Sequence, residues 1–205
     1  MTADHQHASR GMAASATMHC LTGCAIGEMT GLLLGTALGL TTGVTIAVSV
    51  SLAFLFGFAL SSLPLLRAGL GLGTALSIVL AADTLSITVM EVVDNAVMAL
   101  VPGAMDAGLV NVVFWSSMVL AFTAAFLAAY PVNRWLLARG KGHALTHAYH
   151  EQASSPTGAR RFIPAPATST LVAVLLAFVL GGLVVSAADQ LGDGGRQAPE
   201  AAAPR

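Results

Sequence analysis

The feature that most limits the fold of this 205-residue chain is a set of five long apolar stretches. Each is close to 20 residues or longer, which is about the length that an α-helix needs to cross the hydrocarbon core of a bilayer. Charged residues make up 9 % of the sequence, against roughly 25 % in soluble domains. A soluble globular domain and a disordered chain are therefore both excluded. We predict an all-α fold, a polytopic transmembrane helical bundle with about five spans.

The apolar stretches also define the predicted organisation of the chain. The four-helix transmembrane core covers 17–130, with spans at about 17–40, 44–63, 69–100 and 107–130, and a fifth transmembrane helix covers 168–188. The remaining parts are an N-terminal cytoplasmic segment (1–16), a cytoplasmic His/Arg-rich connection (131–167) and a disordered tail (189–205).

Two further expectations concern the ends of the second and fourth spans and the length of the third. Pro64 and Pro131 directly follow the second and fourth spans, and proline is expected to end a helix there. The third span would reach about 45 Å at 1.5 Å per residue. Because this exceeds the hydrocarbon thickness, we expect it to tilt, break or project from the membrane.

The basic residues predict the orientation of the bundle. Five of the nine lie in the connection between spans four and five, while Arg10 and Arg67 fall on the same side of a five-span chain. Since basic loops stay in the cytoplasm, we predict a cytoplasmic N-terminus and an external C-terminus. Nine basic residues against ten acidic ones give no footprint for nucleic acid, so the expected partner is the lipid bilayer.

Glycine recurs at every fourth position of the first span. Small residues at this spacing let the backbone of a neighbouring helix approach closely, as in a glycine zipper. We therefore expect a packing seam, with a helix of this chain, a partner helix or another copy of the chain lying on it. Its members are Gly23, Gly27, Gly31, Gly35 and Gly39.

Several acidic and amide side chains lie inside the predicted spans, where each costs several kcal/mol unless it has a function or a partner. Glu28 lies in span one, and the others share one face of span three together with Met90 and Met98. We expect Glu28 and Asp83 at about the same depth, near the bilayer centre. No Lys or Arg lies within a span, so the set predicts a path for a cation or proton. The alternative is a set of protonated acids that only pack. The predicted path consists of Glu28, Asp83, Glu91, Asp94 and Asn95.

A second group of residues carries metal-ligand chemistry. Cys20 and Cys24 lie one helical turn apart beside His19, and His143 and His147 have the same spacing in the connection. Thiolate and imidazole ligands favour copper or zinc ions, so we predict a metal site from these five residues on the cytoplasmic side. The alternatives are that the thiols fill the glycine seam and that the histidines are solvated.

No nucleotide-binding loop, nucleophile elbow or catalytic triad occurs in the sequence, and the histidine pair lacks the Glu of a metalloprotease motif. We therefore expect a protein that is not an enzyme.

The segments around these residues resemble a bacterial integral-membrane family called domain of unknown function 4396. The resemblance covers about Met18 to His150, and the His-Cys-x3-Cys segment is its most specific part. It implies a bacterial inner-membrane location, and it favours copper because some relatives are joined to copper-protein domains or encoded near them. The segments that carry it are His19–Glu28, Met90–Asn95, Trp115 and Gly142–His147.

The sequence supports three functions. The first is binding or transport of a soft metal ion, copper, through the His/Cys site and the intramembrane carboxylates. The second is a small proton-coupled permease in which the carboxylates act and the thiols only pack. The third is a membrane scaffold or assembly factor that transports nothing and binds a partner helix along the glycine seam.

Overall fold

The structure, a computed structural model, describes residues 2–139 and 158–197. In these ranges every regular element is helical, which confirms the predicted all-α bundle. The long helices are α1 (Thr2–Ala37), α2 (Thr42–Arg67), α3 (Leu72–Leu100), α4 (Val112–Ala138) and α5 (Thr168–Gln197), and a short 3₁₀ helix (Gly158–Phe162) precedes α5.

The long helices have the length and apolar character of membrane spans. Four of them qualify singly over Arg10–Ala37, Thr42–Arg67, Val112–Ala138 and Thr168–Gly192. α3 qualifies as a bent pair, so the described residues contain up to five spans. Large apolar side chains cover much of the outer surface, where a bilayer would solvate them. The chain is a multi-pass membrane protein.

α1 is the central helix of the bundle, since it contacts each of the other four long helices. α5 packs at the periphery against α1 and α4. There Gly182 lies against the ring of Trp115, leaving no room for a side chain at position 182. The indole N–H of Trp115 donates to the carbonyl of Leu109 at 2.7 Å.

The glycine seam of α1 is filled by α2 of the same chain. A Cβ added at Gly23 would lie 2.5 Å from Cα of Gly57, and one at Gly27 would collide with the backbone of Ala53. Gly31 and Gly35 are similarly closed by Ser49 and Thr45. Of the three occupants expected for this seam, a helix of the same chain is therefore the one that lies on it.

Gly39 departs from the predicted packing series. α1 ends at Ala37, and Gly39 lies in the following turn with φ of +63° and no atom within 4 Å of an added Cβ. Its role is conformational, because a left-handed turn residue favours glycine.

α3 is bent, and a break was one of the three outcomes that the length of the third span led us to expect. Its parts Leu72–Ala81 and Asp83–Leu100 are inclined by 52°. Next to the bend, Thr84 Oγ1 donates to the carbonyl of Leu80 at 2.5 Å. Such a bond to the preceding turn competes with the helix ladder and often bends a helix.

The predicted ends at the two prolines are wrong. α2 continues past Pro64 to Arg67, and α4 continues past Pro131 to Ala138. Packing explains the extensions, because Leu65 and Leu136 beyond the prolines are buried and offset the one hydrogen bond that each proline removes.

The chain termini are also more helical than predicted. α1 begins at Thr2 within the segment 1–16, and Ala13 is already fully buried. α5 continues to Gln197 through the predicted disordered tail. The helix continues although three glycines follow the span, and no proline interrupts the chain before Pro199.

The two ends of the bundle differ in chemistry. The basic end contains Arg67, Arg134, Arg139, Arg160 and Arg161, and Arg67 donates to the carbonyl of Ile163 at 3.4 Å. The opposite end, called the open end below, consists of the α1–α2 turn (38–41) and the α3–α4 segment (101–111).

Candidate cation site

A row of polar side chains runs along one face of α1, from the basic end towards the open end. Its members, Thr17, Cys20, Cys24 and Glu28, are spaced three or four residues apart, which places them on one side of an α-helix. Thr17, Cys20 and Cys24 are at most 2 % exposed, and both cysteines are free thiols. This α1 polar row is the scaffold of the candidate site.

At the basic end the row meets α4. Asn133 Nδ2 donates to Thr17 Oγ1 at 2.8 Å, and Thr17 Oγ1 donates to the carbonyl of Ala13 at 2.7 Å. Neither residue was among the predicted site residues. Asn133 lies beyond Pro131, where the helix was expected to have ended, so no periodicity pointed to it.

One turn further, the thiol of Cys20 faces α2 and α3. Its polar neighbours are the side chains of Ser61, Asp83 and Ser86, all of which are buried. The two serines were not predicted. Serine is common in membrane helices, and the sequence does not indicate which serines face the interior.

Closer to the open end, three carboxyl groups gather. Glu91 on α3 neighbours Cys24 and Glu28, and Asp94 neighbours Glu28 as well. Glu91 and Asp94 are 4 % and 6 % exposed. Glu28, Glu91 and Asp94 are called the carboxylate site below.

The carboxylate site has unused hydrogen-bonding capacity. Within the described part of the chain, Oδ1 of Asp94 and Oε2 of Glu28 are buried without a hydrogen-bond donor, and the polar neighbours of the Glu91 carboxyl group are Cys24 and the other two acids. The sequence has no Lys or Arg between Arg10 and Arg67 or between Arg67 and Arg134. Since a buried carboxylate needs a compensating charge or proton, this arrangement suits a cation or protons shared among the acids.

The predicted depth of Asp83 is wrong. We expected it level with Glu28, but Asp83 neighbours Cys20 while Glu28 neighbours Glu91 and Asp94. The offset between α1 and α3 depends on how the two helices pack, and span boundaries in the sequence do not report it. The five residues of the predicted path nevertheless lie along one α1–α3 interface, and Asn95 donates to the carbonyl of Glu91 at 2.9 Å.

The predicted His/Cys metal site is not assembled by the described residues. His19 is half-buried, and its Nδ1 lies 2.9 Å from the carbonyl oxygen of Ser15 on its own helix. Among the described side chains of 10–81, 83–139 and 158–192, no three His, Cys, Asp or Glu are arranged to hold one metal ion. His143 and His147 lie outside the described residues. His19 is about 100° around α1 from Cys20, which explains why the imidazole does not join the thiols.

Beyond the carboxylate site, a cavity of about 440 Å³ extends to the open end. It is called the open cavity below. Glu28 and Asp94 contribute to its wall, as do Asn95 and Ser49. The wall also contains Met29, Met98, Met105 and Met118, of which only Met98 shared the predicted polar face. Because Met29 directly follows Glu28, the sequence could have pointed to Met29 as a neighbour of the site. It could not have pointed to Met118, which α4 contributes to the wall.

Comparison with protein-family models matches residues 10–142 to the domain of unknown function called DUF4396. Comparisons with functionally described proteins and with solved structures give no match. The family match covers most of the chain, including the α1 polar row, the carboxylate site and the open cavity. The chain belongs to the DUF4396 family.

Proposed function

We propose that this membrane protein moves a cation through its bundle, with the carboxylate site as the point where the cation is held. The observation that carries the proposal is the meeting of Glu28, Glu91 and Asp94 between α1 and α3, far in sequence from any Lys or Arg. Uncompensated acids in a membrane interior are costly, and they mark ion paths and proton relays in membrane proteins.

The neighbours of the carboxylate site support a path rather than an isolated pocket. Towards the open end lies the open cavity, with Glu28 and Asp94 in its wall. Towards the basic end the α1 polar row continues through Cys24, Cys20 and Thr17. Protons are the first cargo to test, because carboxyl, thiol and hydroxyl groups in succession can each bind and release one.

The proposal assigns no catalytic reaction to the chain. It also leaves out the metal site predicted from five residues, because His143 and His147 lie outside the described part of the chain and no described group of three ligands includes His19, Cys20 or Cys24. A scaffold that binds a partner helix along the glycine seam is disfavoured as well, because α2 lies on that seam.

Flux into vesicles tests the proposal. The full-length protein is reconstituted in proteoliposomes that contain a fluorescent pH indicator, and a potassium diffusion potential drives proton entry. We expect faster acidification than in empty vesicles, and we expect Glu28→Gln to return the rate to that of empty vesicles. Asp106→Asn is the matched control, because Asp106 is exposed in the α3–α4 segment.

The outcome that contradicts proton transfer is acidification by Glu28→Gln at the rate of the unaltered protein. Equal rates with and without protein would also contradict it. Both outcomes are decisive when the variants reconstitute in the same amount and orientation. Protease accessibility of the basic end measures the orientation.

We also propose that the basic end faces the cytoplasm of a bacterium and that the open cavity faces outwards. The support is the clustering of arginines at that end, where Arg139 lies over the ring of Trp135 at 3.9 Å. Reporter fusions test this orientation. A phosphatase that is active only outside should work at the C-terminus and fail after Arg139, and the reverse pattern would contradict the orientation.

A further inference from the structure

Methionine is concentrated around the open cavity. Four of the eight methionines of the chain contribute to its wall, and they come from α1, α3, α4 and the α3–α4 segment. Met29, Met98 and Met118 are 8 %, 8 % and 4 % exposed, while Met105 at the rim is 37 % exposed. Thioethers from separate parts of the fold thus surround one space.

Two carboxyl groups contribute to the same wall. Asp94 is 94 % buried, because only 6 % of it is exposed, and its Oδ1 has no hydrogen-bond partner among the described residues. Glu28 also presents a buried oxygen, Oε2, that no described donor reaches. Methionines can serve as gap-fillers in a packed core, but here they lie beside two carboxyl groups with buried oxygens, so soft ligands and a source of negative charge line the same cavity.

The ligand chemistry is selective. Thioethers are soft ligands that favour Cu(I), whereas Ca²⁺ takes six to eight oxygen ligands and Zn²⁺ prefers thiolate and imidazole. A monovalent ion needs one compensating negative charge, and either carboxylate supplies it. The cavity volume of about 440 Å³ lies in the range of roughly 300–1,000 Å³ typical of ligand pockets, so an ion can enter with part of its hydration.

We propose that the open cavity binds one soft monovalent metal ion of the Cu(I) class through the thioethers of Met29, Met98 and Met118, with Glu28 and Asp94 balancing its charge. Met105 at the rim is the first thioether that an ion meets on entry. The inference rests on the proposed function, because Glu28 and Asp94 are carboxyl groups that are proposed there to hold a cation. Binding at equilibrium is nevertheless measurable without any flux.

Ag(I) is the probe, because it has the ligand preferences of Cu(I) and is stable to oxidation. The full-length protein in detergent carries ¹³C in the methionine methyl groups and the substitutions Cys20→Ser and Cys24→Ser, which remove competing thiols. One equivalent of Ag(I) should shift the methyl signals of Met29, Met98 and Met118 and leave that of Met18 in place. Met18 is the internal control, since it lies in a separate apolar groove between α1, α4 and α5.

A matched set of variants supplies the second readout. Met29→Leu, Met98→Leu and Met118→Leu are combined, since leucine keeps the volume of methionine and removes the sulfur. The combined variant should bind Ag(I) at least about tenfold more weakly at this site, while Met18→Leu should bind as the parent does. Unchanged methyl signals from the methionines that remain in the combined variant exclude unfolding as the cause.

Two results would overturn the inference. One is a methyl spectrum in which Ag(I) shifts only methionines outside the cavity, and the other is equal Ag(I) affinity in the parent and the combined variant. These results are separate from the flux test of the proposed function. If Glu28→Gln abolishes proton flux and no Ag(I) binds in the cavity, the proposed function is supported and the metal site is contradicted. If Ag(I) binds in the cavity and no flux is measured, the metal site is supported and the proposed function is contradicted.

Discussion

The carboxyl group of Glu28 on α1 lies beside that of Asp94 on α3, where both contribute to the wall of the open cavity. The residues are 66 positions apart in the sequence, and only the parallel packing of α1 and α3 brings them together. Because two carboxylates so close repel each other, a proton or a bound cation stabilises the pair. This relationship links the buried α1 polar row to the part of the fold that is open to solvent.

Because α1 and α2 are in close contact, a single added methyl group between them should lower the stability of the fold strongly. Gly27→Ala should lower the free energy of unfolding by about 1–3 kcal/mol, because the new Cβ collides with the backbone of Ala53. Gly11→Ala on the same helix meets no atom within 4 Å, so it should be neutral or slightly stabilising. Thermal unfolding of the two variants in detergent measures the difference, and equal stabilities would contradict the seam.

Docking of α5 depends on the space at Gly182. Gly182→Ala should displace the ring of Trp115, whereas Gly181→Ala should not, since a Cβ at Gly181 contacts nothing within 4 Å. In a Trp135→Phe background, the emission of Trp115 should move to longer wavelength in the first variant only. A red shift of equal size in both variants would show that α5 does not pack through Gly182.

Burial of the two thiols predicts their reactivity. Cys20 and Cys24 are 0 % and 2 % exposed, so a water-soluble maleimide should label them only as fast as the bundle opens. A cysteine introduced by Asp106→Cys should react at once, because position 106 is exposed. Mass spectrometry counts the labels over time. Rapid double labelling of the folded parent protein would contradict the position of the thiols inside the bundle.

The spans and the glycine seam were predictable because both depend on local sequence. Apolar runs of sufficient length indicate helices whatever their packing, and four-residue glycine spacing marks a close contact even when the partner is unknown. The identity of the partner, α2, was not predictable, because it depends on the antiparallel turn around Gly39. The helix ends at Pro64 and Pro131 were missed because the tertiary burial of Leu65 and Leu136 outweighs one lost hydrogen bond.

The sequence indicated which kinds of residues form the candidate site, but only part of how they are arranged. The polar face of α3 followed from helical periodicity, so Glu91 and Asp94 were found. The neighbours of Cys20 and the level of Asp83 depend on the relative position of α1 and α3, which the sequence does not report. Met118 joins the cavity only through the rotation of α4 about its axis. An apolar methionine in a membrane helix gives no local sign of that rotation.

If Glu28 and Asp94 hold a mobile cation, charge should move across an adsorbed proteoliposome film that contains the protein. A rapid drop in external pH should give a transient current with the unaltered protein and with Asp106→Asn. We expect no current above that of empty vesicles for Glu28→Gln combined with Asp94→Asn. An undiminished current in that double variant, at equal protein content, would show that these two carboxyl groups do not hold the mobile cation.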